Sequence, residues 1–167
     1  MKAYNYHAPN YQSSIARFLE AVCDKGLKYL DIPTVISVAL CPYTSLQEIG
    51  IRNLATLSDT SKDGSSNLDS EFENHIPFLF EAYYTTKNMA RHVRNYLLHT
   101  LSNLAVRDYL RPILIDHKGL KMFLDALRDM SNVEGQRIAA KGLCNLSAGK
   151  RELRLTVISE ISDEIKK

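Results

Sequence analysis

Two histidines, His92 and His99, stand seven residues apart and would share one face of a helix, the simplest arrangement in this chain from which metal or acid–base chemistry could be built. No cysteine or acidic residue accompanies them at ligand spacing, so a metal is not expected. The sequence holds no glycine-rich phosphate loop, nucleophile elbow, HExxH or paired-carboxylate motif, and Lys118-Gly119-Leu120-Lys121 reads as a helix boundary. No enzyme and no cofactor are expected. The polar residues that do recur with regularity are asparagines: Asn103 stands 42 residues before Asn145, and each lies in an L-x-N-L context, Leu101–Leu104 and Leu143–Leu146.

The elements that must position these residues form a repeat. Gln136–Ser147 (QRIAAKGLCNLS) overlies Arg94–Ala105 (RNYLLHTLSNLA), and 47 residues further back Gln47–Ser58 (QEIGIRNLATLS) gives a third copy, with Leu54 and Leu57 in the leucine places and Thr56 in place of asparagine. A second series repeats as well: Ile32-Pro33, Ile76-Pro77 and Leu120-Lys121 follow one another at 44-residue intervals. Helical units at about 40–47 residues are the signature of HEAT and armadillo solenoids. The L-x-N-L-S ending together with three-helix spacing resembles the armadillo-repeat family over roughly residues 30–160.

The resemblance implies an all-α fold, a right-handed α-solenoid of about three repeats (13–58, 59–105, 106–147) and a partial unit at 148–167, preceded by an extended arm at 1–12. Within it, Ser13 or Ser14 caps a helix through Cys23 and Ile32-Pro33 opens one through Leu40. The polar stretch Asp59–Asp69 (DTSKDGSSNLD) reads as an insertion loop, after which Ile76-Pro77 opens the next helix. Pro112 is expected to start or kink a helix in Asp108–Asp116, and Gly119 to turn the chain into Leu120–Met130. In 150–167, Leu153, Val157, Ile158, Ile161 and Ile165 fall on one face, so this helix either caps the stack or forms an oligomer contact. Ile138, Ala139, Gly142, Leu143 and Leu146 are expected to be buried, with the small residues at 139, 140 and 142 admitting neighbouring helices.

The same resemblance implies that the L-x-N-L helix lines a groove in which its asparagine bonds the backbone of an extended ligand. Asn103 and Asn145 match that place, against the plainer reading that each satisfies a neighbouring carbonyl. One turn earlier, where importin-alpha-like proteins carry tryptophan, this chain offers Arg52, His99 and Lys141, more like the beta-catenin groove. Arg52, Thr56, His99, Asn103, Lys141 and Asn145 are therefore the expected partner-binding residues. Stacked helices lie about 10 Å apart and an extended chain advances about 3.3 Å per residue, so the basic positions would meet every third residue of an acidic segment. The expected function is an adaptor for such a segment of a partner protein, with a structural subunit of a larger assembly as the alternative.

Composition narrows the field further. A net charge of +2 is too small to announce nucleic acid or an anionic membrane, and base stacking would want more groove aromatics than Tyr96. No run of 18 apolar residues spans a membrane. Three cysteines (Cys23, Cys41, Cys144) without a CxxC pair read as reduced, mostly core thiols of the cytosol or nucleus, and the N-terminus is poor in the arginines of a mitochondrial presequence.

Overall fold

The structure, a computed structural model, describes residues 32–60, 66–85, 90–149 and 151–165, with Arg17 and Ala21 as isolated helical positions. The expected arm at 1–12 and the body of the helix expected from Ser13 to Cys23 lie outside the described residues. The regular elements among them are all helices: α1 (Ile32–Ala39), α2 (Thr44–Thr60), α3 (Ser66–Thr85), α4 (Arg91–Leu104), α5 (Leu110–Asp116), α6 (Gly119–Arg128), α7 (Val133–Ser147) and α8 (Arg151–Ile165). None is long and apolar enough to cross a membrane.

Packing follows the repeat. The helices carrying the three copies lie side by side, α4 against α2 on one flank and against α7 on the other, while α1 covers α2 and α3, α3 covers α4, and α6 covers α7. The leucines explain the order: Leu54, Leu57, Leu97, Leu98, Leu101, Leu104, Leu143 and Leu146 are all buried and join one continuous core. Burying such side chains stabilises by about 1.5–3 kcal/mol each. Close approach is admitted by glycine. A Cβ on Gly142 would sit 2.5 Å from Cε1 and Cζ of Phe123, so α7 meets α6 with a ring lying where a side chain would begin.

Four expectations are corrected. The stretch Asp59–Asp69 is mostly helical: Asp59 and Thr60 finish α2, Ser66–Asp69 begin α3, and only 61–65 lie outside the described residues. Ile76-Pro77 does not open a helix either, because Pro77 lies inside the 20-residue α3. The physical reason is the stripe Phe72, Ile76, Leu79, Phe80 and Tyr83, buried at i, i+4, i+7, i+8 and i+11, whose burial outweighs the one ladder bond that proline removes. Cys41 is partly exposed and Cys144 exposed; on α7, positions 140 and 144 turn away from the face that buries Ile138, Ala139, Gly142, Leu143 and Leu146. On α8, Val157 is buried and Ile161 packs against the core, yet Ile158 is 55% exposed along with Leu155. The apolar stripe is thus wider than the contact with α7 covers.

Pro112 sits at the third position of α5, where its missing N–H is among those that have no helical acceptor. Lys118, with φ of 66°, makes the left-handed turn before α6, one residue ahead of the expected Gly119.

Candidate functional site

A groove of about 460 Å³ crosses the three stacked helices, lined by Arg52, Ala55, Thr56 and Asp59 of α2, by His92, Asn95, Tyr96 and His99 of α4, and by Glu134 and Ile138 of α7. Three of the six expected binding residues, Arg52, Thr56 and His99, come together here. Each is there because one turn of α2 or α4 presents positions i and i+4, or i and i+3, on one side. Thr56 is exposed and its hydroxyl donates back to the Arg52 carbonyl at 3.3 Å.

The other three lie further along the same row. Asn103 is 2% exposed and its amide is wholly engaged within the fold: Nδ2 reaches Ser58 Oγ at 3.2 Å and His99 Nδ1 at 3.3 Å, and Oδ1 accepts from Lys141 Nζ at 3.2 Å. Asn145 is partly buried and its amide donates to the Ser102 carbonyl at 2.8 Å. The two repeated asparagines therefore tie α2, α4 and α7 to one another. Such bonds satisfy helix-end groups that would otherwise be stranded in the core. Arg107 completes the tie, donating to the Asn103 carbonyl at 3.1 Å and the Ser58 carbonyl at 3.4 Å.

Charges of both signs border the groove. Glu48 accepts from His92 at 2.8 Å, and Glu134 is bridged by Arg137 at 2.8 Å, which with its hydrogen bond holds the Glu134 carboxyl below the usual range. Lys141 is exposed and its ammonium rests on a neutral amide, a contact that leaves its charge uncompensated. His99 is held below the ordinary histidine value, first by burial and then by Lys141, with Arg137 adding and Asp59 and Glu134 opposing. At neutral pH it is an uncharged imidazole rather than a third cation.

Sequence reasoning missed three positioning devices. Asn95 and Asn132 exchange amide hydrogen bonds at 3.1 and 2.8 Å, so the residue that caps α7 by accepting from Gly135 N is itself clamped to α4. Arg111, 5% exposed, donates to the carbonyls of Ala105 and Val106 at 2.9 and 2.8 Å and pairs with Asp108, closing the C-terminal end of α4. Arg91 donates to the Ser131 carbonyl at 2.7 Å. The first and third link residues 37 and 40 apart in sequence, while Arg111 reaches back three to six residues across the turn after α4. Among the described residues no group of three histidine, cysteine or acidic side chains is placed to hold a metal.

The fold belongs to the helical-repeat-like all-α class. No family model matches the chain, and no curated protein matches it. Solved structures do: it is similar to crystal structures of engineered proteins from the Northeast Structural Genomics Consortium. One has TM-score 0.66 and 20% identity over 93% of this chain, a second 0.67 and 17% over 93%, and a third 0.66 and 17% over 92%. The chain spans 65%, 64% and 38% of the lengths of these three. At such identities the likeness speaks of fold alone.

Proposed function

We propose that this protein is a non-enzymatic interaction module of armadillo-like repeats, a right-handed solenoid of about three units and a partial fourth, whose groove over α2, α4 and α7 takes an extended segment of a partner protein. The observation that carries the reading is the groove itself, contributed to by three successive helices of the repeat and floored by Ala55, Tyr96 and Ile138. Three helices at about 10 Å spacing give a track of roughly 20 Å, enough for about six residues of extended chain. An apolar partner side chain fits against Tyr96, and a carboxylate fits near Arg52 or Lys141. With His99 neutral and Glu134 and Asp59 on the rim, the acidic character wanted of the partner is local, about one or two carboxylates rather than a run.

The structural-subunit alternative draws on a different face. Met130 is 82% and Val133 75% exposed at the α6–α7 turn, and Leu155 and Ile158 are exposed on α8, which are contacts suited to a permanent assembly or to a second copy.

The test is a double charge reversal, Arg52→Glu with Lys141→Glu, against a partner purified with the protein from its source, at low and moderate salt. Exposed charge pairs contribute about 0.2–1 kcal/mol each, so binding is expected to weaken roughly two- to thirtyfold at low salt and less at moderate salt. Unchanged binding by a folded variant would remove the groove from the interaction and favour the exposed faces.

A further inference from the structure

The orientation of the Asn103 amide can be worked out from Lys141 outward. An ammonium only donates, so the amide oxygen must face Lys141 Nζ, 3.2 Å away. That turns Nδ2 toward Ser58 Oγ and His99 Nδ1, at 3.2 and 3.3 Å. The Ser58 hydroxyl hydrogen is committed to the Ala55 carbonyl at 2.8 Å, so its oxygen is an acceptor here. His99 Nδ1 must accept as well, which places the hydrogen of a neutral imidazole on Nε2. Both N–H groups and one lone pair of a side chain that is 2% exposed are then used.

Resting on the groove reading above, we infer that Lys141, acting through Asn103, fixes His99 as the Nε2–H tautomer and makes it a single hydrogen-bond donor for a backbone carbonyl of the bound segment; a proton taken up at Nδ1 forces the amide to turn over and releases Lys141. A protonated His99 would set an N–H against the N–H of Asn103, two donors with no acceptor between them. Turning the amide restores the bond to His99 but presents nitrogen to the Lys141 ammonium, two donors again. The proton on His99 and the Lys141–Asn103 bond therefore exclude each other. At neutral pH the middle of the groove offers one uncharged donor; in acid it offers an imidazolium and a released ammonium, a site for carboxylates. In this arrangement His99, and not the repeated asparagine, is the group in the middle helix that reads the partner's backbone.

The charged and titratable groups around His99 come from all three helices: Arg52 and Asp59 from α2, His92 on its own helix, and Glu134, Arg137 and Lys141 from α7. Burial and Lys141 dominate, and the folded value lies below the unfolded one. The corresponding stability is therefore fully present above about pH 6.5 and is lost as pH falls through the folded value.

Nitrogen-15 NMR of the ligand-free protein tests this independently of any partner. Wild type is expected to show His99 protonated on Nε2 with a titration midpoint below that of a free histidine. In Lys141→Met, whose exposed position should leave the fold intact, the amide is free to turn; the midpoint should rise and part of the population should move to the Nδ1–H tautomer. An Nδ1–H tautomer in wild type overturns the inference. So does an unchanged tautomer in Lys141→Met whatever the midpoint does, because removing a charge moves a midpoint without an amide in between.

Discussion

Leu101→Ala is expected to lower stability by about 2–5 kcal/mol, a fall of roughly 5–15 °C in Tm for a chain of this size. Leu101 is 0% exposed in α4, the helix held between α2 and α7, so the atoms around the lost methyl groups belong to helices fixed on both flanks and cannot close the cavity. Its repeat equivalent, Leu143, is 8% exposed in α7, whose flanks carry α4 and the less closely packed α8. Leu143→Ala should therefore fall at the lower end of the same range. Chemical denaturation of the two variants checks both statements; equal and small effects would deny that α4 is the centre of the stack.

Gly50→Val should be as damaging for a different reason. Gly50 faces the end of α1, where a Cβ would lie 2.8 Å from Ala39 Cα and 2.9 Å from the Val38 carbonyl carbon. These are backbone atoms of a helix, and they yield only if α1 moves off α2 as a body. Overpacking typically costs about 1–3 kcal/mol, and the rigid obstacle puts this case at or above the top of that range. At Gly142 the obstacle is the Phe123 ring, which can turn, so Gly142→Val is the milder comparison. If urea midpoints rank Gly142→Val below Gly50→Val in stability, the close approach of α1 to α2 is wrong.

What the sequence revealed and concealed divides along the range of the interactions. The L-x-N-L copies located α2, α4 and α7 because a buried helix face must repeat its apolar residues every three or four positions, and that period is visible without coordinates. Ile32-Pro33 marked α1 for a local reason too, proline being suited to a first turn. The same rule fails at Ile76-Pro77, where the buried stripe from Phe72 to Tyr83 runs through the proline. Asn103 and Asn145 were visible as repeated residues, but their bonds to Ser58, Lys141 and Ser102 join helices about 40 residues apart, which no local pattern reports. The groove was legible as a row of positions, Arg52, Thr56 and His99 among them, while Tyr96, Asn95, Glu134 and Ile138 entered it only through the rotation of α4 and α7 about their axes. Charge was the least legible property: His99 counted as a cation until its burial and its place beside Lys141 were known.

The central claim is that a partner's extended segment lies in the groove across α2, α4 and α7. The most direct measurement is site-specific photo-crosslinking, with a photoreactive phenylalanine analogue replacing Tyr96 in the groove or Leu155 on the exposed face of α8, in the protein purified together with its partner. Capture from position 96 of a short, contiguous stretch of the partner, about six residues carrying an apolar side chain and one or two carboxylates, is the predicted result. Efficient capture from position 155 with none from position 96 would contradict it and assign the interaction to the outer face of α8.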